Sequence, residues 1–137
     1  MSDKLIKLKV ITPVKMLFEG ELKSFIVKTR GEVGEFAVLA DHAPMTATIG
    51  IGSLVLEMPD GEREVTSLFG GYVVVQNNSA VIVAEAAEWP GEIDIERAER
   101  AKERAEARLK KSGTDVDRAQ AALMRAMERI EIYKLRK

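Results

Sequence analysis

Arg97, Arg100, Arg104 and Arg108 recur at steps of three, four and four, which lays four guanidiniums along one side of a helix. Arg118, Arg125 and Arg129, at steps of seven and four, form a second stripe further along the chain. If two such helices fold back on each other, Arg97 and Arg104 come near Arg125 and Arg129. Guanidinium forks suit phosphate oxygens because each presents parallel donors in a plane. Converging arginines repel unless an anion or carboxylates sit among them. Glu88 and Asp94 stand just ahead of the first stripe, where they could accept hydrogen bonds from an amino group of a base or from ribose hydroxyls. The competing reading is a solvated helix face neutralised by pairs such as Glu96 with Arg100 and Glu106 with Lys110.

Other chemistry is thinly represented. His42 is the only histidine and there is no cysteine, so neither a multi-histidine metal site nor a thiolate site or disulfide can be built within one chain. Asp41-His42 could form an acid–base dyad, but no nucleophile motif or phosphate loop accompanies it. A structural or interface histidine is the expectation. The net charge of −1 argues against nucleic acid or an anionic membrane as the main partner. No apolar run approaches the ~20 residues of a membrane span, so the chain reads as soluble, without direct membrane insertion.

The elements that must position these residues change character at Trp89-Pro90-Gly91. Before it, alternating apolar and polar residues are punctuated by Thr12-Pro13, Glu19-Gly20, Pro59-Asp60-Gly61, Gly70-Gly71 and Asn77-Asn78. This predicts about ten short strands in an antiparallel sandwich or flattened barrel. Turns are expected at Glu19-Gly20 and after residues 4–12. After residue 90 the period becomes helical: Ile95, Ala98, Ala101, Ala105 and Leu109, then Val116, Ala119, Leu123, Ala126, Ile130 and Tyr133. Asp94 can cap the first helix, Ser112-Gly113 ends it, and Thr114 can cap the second. The fold class is α+β, a β-sandwich over residues 1–88 followed by an antiparallel two-helix hairpin over 89–137. The helical seam is rich in alanine, so the helices approach closely while burying little apolar area. A hairpin of this kind is marginal alone and able to undock.

Three stretches together carry a resemblance: Gly31-Glu32-Val33-Gly34-Glu35-Phe36-Ala37-Val38-Leu39-Ala40-Asp41-His42-Ala43-Pro44, then Phe69-Gly70-Gly71-Tyr72-Val73-Val74-Val75, then Val83-Ala84-Glu85-Ala86-Ala87. In this order, ahead of a helical hairpin, they resemble the epsilon subunit of bacterial F-type ATP synthase over essentially the whole chain. The resemblance implies a non-catalytic central-stalk subunit, peripheral on the cytoplasmic face of the cell membrane. One sandwich face would pack on the gamma subunit. Glu32, Val33 and His42 would rest on the ring of c subunits. The hairpin would permit ATP hydrolysis when folded on the sandwich and inhibit it when extended toward the beta subunits. Some members bind ATP through a motif Ile/Leu-Asp-x-x-Arg-Ala, matched in full by Ile93-Asp94-Ile95-Glu96-Arg97-Ala98. By that resemblance Glu88 and Asp94 hold the adenosine part and Arg97, Arg104, Arg125 and Arg129 the phosphates. No cofactor is required, ATP is a regulatory ligand, and magnesium is left open. A stand-alone ATP-sensing module with another partner is the rival reading.

Overall fold

The computed structural model describes residues 4–30, 34–111 and 113–137. Eight strands precede two helices: β1 (Ile6–Ile11), β2 (Met16–Leu22), β3 (Ser24–Thr29), β4 (Glu35–Leu39), β5 (Met45–Thr48), β6 (Ile51–Glu57), β7 (Arg63–Gln76) and β8 (Ser79–Ala86), then α1 (Ile95–Leu109) and α2 (Val116–Tyr133). The strands form one continuously bonded sheet in the order β2-β1-β8-β7-β6-β3-β4, with β5 on the distal half of β7. Bent round on itself, the sheet makes a sandwich. Leu8, Phe25, Leu54, Leu56, Leu68, Val73 and Ile82 fill its interior with essentially no exposure. β1 shows the alternation its sequence demands, with Ile6, Leu8 and Val10 inward and the lysines outward.

The sandwich and hairpin match the expected α+β class, but three details differ. The count is eight strands among the described residues, not about ten, because Gly70-Gly71 bends β7 without breaking it. Both glycines take positive φ, +67° and +116°. Glu19-Gly20 is not a turn; Gly20 pairs with Leu8 in mid-strand, and the chain breaks at Lys23 instead. The Phe18 ring lies over Gly20, where an added Cβ would come within 3.1 Å of it, so this glycine makes room for an aromatic ring. Finally, β1 pairs with β8 in parallel, so the sheet is mixed rather than wholly antiparallel.

β6 is buried on both faces. Leu54 and Leu56 point into the sandwich, whereas Ser53 and Val55 are buried on the opposite face. That outer face is covered by α2, which packs on β6 and β7. Val55, Phe69, Ile93 and Ile132 are buried outside the sandwich core and supply apolar contact between sheet and hairpin. Between the helices, Ala98, Ala105, Ala119 and Ala126 are the buried alanines, the close small-residue seam the period predicts. Asp115, not Thr114, caps α2, its carboxylate accepting from the Arg118 amide at 3.1 Å.

Candidate functional site

The hinge between sheet and hairpin is fixed by local bonds. Ser67 in β7 and Glu88 bond reciprocally: the Ser67 amide donates to the Glu88 carbonyl at 2.9 Å, and the Glu88 amide donates to Ser67 Oγ at 2.9 Å. The backbone of Glu88 is thereby tied to a fully buried strand position. A 3₁₀ turn follows at Pro90–Glu92. Pro90 supplies the preset φ, and the Glu92 carboxylate reaches back to the Trp89 amide at 3.0 Å. Glu92 also pairs with Lys15 of the β1–β2 turn, which clamps the hinge to the sandwich. Burial pushes the Glu92 carboxyl up, but the hydrogen bonds from Lys15 and the Trp89 amide, with the Lys15 charge, together hold it below its ordinary value. With the folded value depressed, this clamp contributes above the ordinary carboxylate range and is lost as pH falls below it.

Asp94 then opens α1, accepting from the Arg97 amide at 3.1 Å in an N-cap. Residues 94, 97, 101 and 104 share one face of the helix. Together with α2 and the hinge they enclose a cleft of about 380 Å³ lined by Glu88, Glu92, Asp94, Arg97, Ala98, Ala101, Arg104 and Arg129. Three carboxylates face three guanidiniums there, beside the positive end of α1.

Arg129 is the most constrained of the basic groups. Its Nε donates to Glu88 Oε1 at 2.6 Å, and its guanidinium carbon lies 4.5 Å from the centroid of the buried Phe69 ring. The pair with Glu88 uses only Nε, which leaves the Nη donors for a ligand. Ala98 and Ala101 form the floor of the cleft and leave room that a larger side chain would fill.

Of the residues singled out in the sequence, the fold therefore brings Glu88, Asp94, Arg97, Ala98, Arg104 and Arg129 together. Ile93 lies buried beneath them as packing rather than lining. Arg125 is exposed on α2 and stands outside the cleft lining. The basic stripe also divides: Arg108 lies at the far end of the hairpin beside Arg118. Lys15, Phe69 and Glu92 were not singled out. The reach of Glu92 back to Trp89 was signalled by its place three residues on, whereas the Lys15 contact spans 77 residues with no local signal.

Elsewhere, Asp41 takes positive φ, +62°, and its carboxylate accepts from Lys4 at 2.8 Å, so it does not serve His42. His42 is half-buried in the turn after β4, with Nδ1 2.7 Å from the Ala43 carbonyl oxygen. Glu32 and Val33 lie outside the described residues. No helix among the described residues is long and apolar enough to cross a membrane.

Asp94 has two separable roles, as cap and as charge. Asp94→Asn keeps an accepting cap, so its thermal stability should fall within a few tenths of a kcal/mol of the parent chain, whereas Asp94→Ala should lose about 1 kcal/mol. Thermal denaturation followed by far-ultraviolet circular dichroism checks both values.

The sandwich and the hairpin after it correspond to two family models. The family model for the β-sandwich domain of the ATP synthase delta/epsilon chain matches residues 5–90, and that for its long α-helix domain matches residues 92–134. The ATP synthase epsilon chain of Clostridium novyi is 44% identical over 130 residues, covering 94% of this chain and 98% of that one. That of Caldanaerobacter subterraneus is 40% identical over 132 residues, covering 95% and 94%. The chain belongs to the ATP synthase epsilon-chain family. In fold it is similar to a chain of the Euglena gracilis mitochondrial ATP synthase, with TM-score 0.75 and 24% identity over 96% of this chain and 80% of that one.

Proposed function

We propose that this chain is a non-catalytic subunit of the central stalk of a rotary ATP synthase, and that its hairpin carries a regulatory nucleotide site. The relatives named as epsilon chains match it along almost its full length, and a solved likeness belongs to a c-ring-containing assembly from a mitochondrion. Residues 1–88 act as the coupling part, contacting the gamma subunit and, through Glu32, Val33 and His42, the c-subunit ring. Residues 89–137 act as the regulatory part, reaching the beta subunits in an extended state that inhibits hydrolysis. The protein works peripherally at the cytoplasmic face of the bacterial membrane.

The nucleotide reading rests on one observation above the others: Glu88, Asp94, Arg97, Arg104 and Arg129 converge on a single cleft at the hinge. Arg97, Arg104 and Arg129 engage the phosphates, while Asp94 and Glu88 accept from the nucleoside. Arg125 joins only if its side chain swings toward the cleft. A ligand that bridges α1, the hinge and α2 favours the docked hairpin by its differential affinity for that state. Reconstitution tests the stalk role. The chain should co-purify with gamma and beta subunits and lower their ATP hydrolysis, and deletion of residues 89–137 should relieve inhibition while retaining assembly. Failure to bind gamma would overturn it.

A further inference from the structure

The hairpin also meets the sandwich away from the cleft. Glu128 of α2 is only 5% exposed, on the helix face that covers the sheet. Arg30, directly after β3, reaches it with Nε 2.6 Å from Glu128 Oε2. The same guanidinium places an Nη 2.6 Å from Glu131 Oε1, one helical turn away. One fork thus spans two carboxylates of the docked helix. Its base is held in place: the Arg30 amide donates to the Ile51 carbonyl at 2.8 Å, and Thr29 Oγ1 donates to the Gly34 carbonyl at 2.6 Å. Lys28, Thr29, Gly52 and Ser53 complete a hollow around the two carboxylates.

We propose that Arg30, Glu128 and Glu131 form an ion-pair latch that holds α2 on the sandwich independently of any ligand in the cleft, and so sets the balance between docked and undocked hairpin. In the docked state Glu128 is out of water and depends on Arg30 for its neutralisation; removing one partner of a buried pair leaves an uncompensated charge. In the undocked state all three side chains meet water, and loss of Arg30 is almost without consequence. A change at Arg30 therefore falls on the docking equilibrium and spares the sandwich. Glu131 is largely exposed, so its share of the latch is the smaller one.

Among the described residues, the charged groups acting on Glu128 are Arg30, just after β3, and Glu131 from its own helix. Burial pushes the Glu128 carboxyl up, Arg30 offsets this only in part, and the Glu131 charge adds to the rise.

Hydrogen exchange on the full chain without nucleotide tests this. Arg30→Gln should speed exchange of α1 and α2 amides at least tenfold, with β7 and β8 amides within twofold of the parent chain. Arg30→Gln/Glu128→Gln should regain most of the lost protection, and Glu131→Gln should change it less than threefold. Unchanged helix protection in Arg30→Gln, equal losses in the sandwich, or no recovery in the double variant would overturn the latch.

Discussion

Arg129→Ala should weaken ATP binding more than tenfold and destabilise the docked hairpin by about 2–3 kcal/mol. Two contacts disappear together. Glu88, half-buried and anchored through Ser67, loses the 2.6 Å pair to Nε and keeps its desolvation penalty. The Phe69 ring loses the guanidinium stacked at 4.5 Å, worth about 1 kcal/mol in a partly desolvated setting. The cleft meanwhile shifts from three guanidiniums against three carboxylates to two against three, which disfavours a polyanion. Arg129→Lys keeps the charge but not the planar fork, so it should recover only part of either loss. Calorimetric titration gives the affinity, and helical circular dichroism on heating gives the stability. Affinity unchanged within twofold in Arg129→Ala would place the phosphates elsewhere.

Gly71→Ala should carry the largest cost to the fold, about 3–5 kcal/mol, lowering the melting temperature by on the order of 10 °C. At φ +116° an L side chain is strained, and the added Cβ would stand 2.0 Å from the Val83 carbonyl oxygen and 2.9 Å from the Ala84 Cα. Neither neighbour can retreat, because β8 is held between β7 and β1. Gly61→Ala makes the control. It also has positive φ, +89°, but nothing lies within 4 Å of its Cβ, so the cost should be about 1 kcal/mol. Similar melting temperatures for the two variants would show that the backbone at 71 yields.

These two sites mark what a sequence can and cannot convey. Gly70-Gly71, Asn77-Asn78 and the change of period after Pro90 are local signals, and each marks a real bend, hairpin or helix start. Asp94 was legible for the same reason, since an N-cap is read from the residues next to it. The clustering of Arg97 with Arg104 followed from helical spacing alone. What stayed hidden depends on distant segments. The parallel pairing of β1 with β8 joins strands some seventy residues apart and leaves no mark on either strand's own pattern. β6 reads as half-buried because only the docking of α2 covers its second face. Glu128 looks like any other charge on a charged helix; α2 docking on the sheet buries it, and its partner Arg30 lies 98 residues earlier. Arg125 shares the spacing of its neighbours, yet the rotation of α2 about its axis turns it outward. That rotation is fixed by Ala119, Ala126 and Ile132 in the packing rather than by the arginines.

A nucleotide in the hinge cleft is expected to hold the hairpin down. Titration of the full chain with ATP, followed by hydrogen exchange of α1 and α2 at saturation, measures this. Saturable binding at or below millimolar ATP is expected. The gain in helix protection should follow from mass action as ligand exceeds its dissociation constant, and both effects should disappear in Asp94→Ala. No binding heat at millimolar ATP, or equal binding in Asp94→Ala, would contradict it.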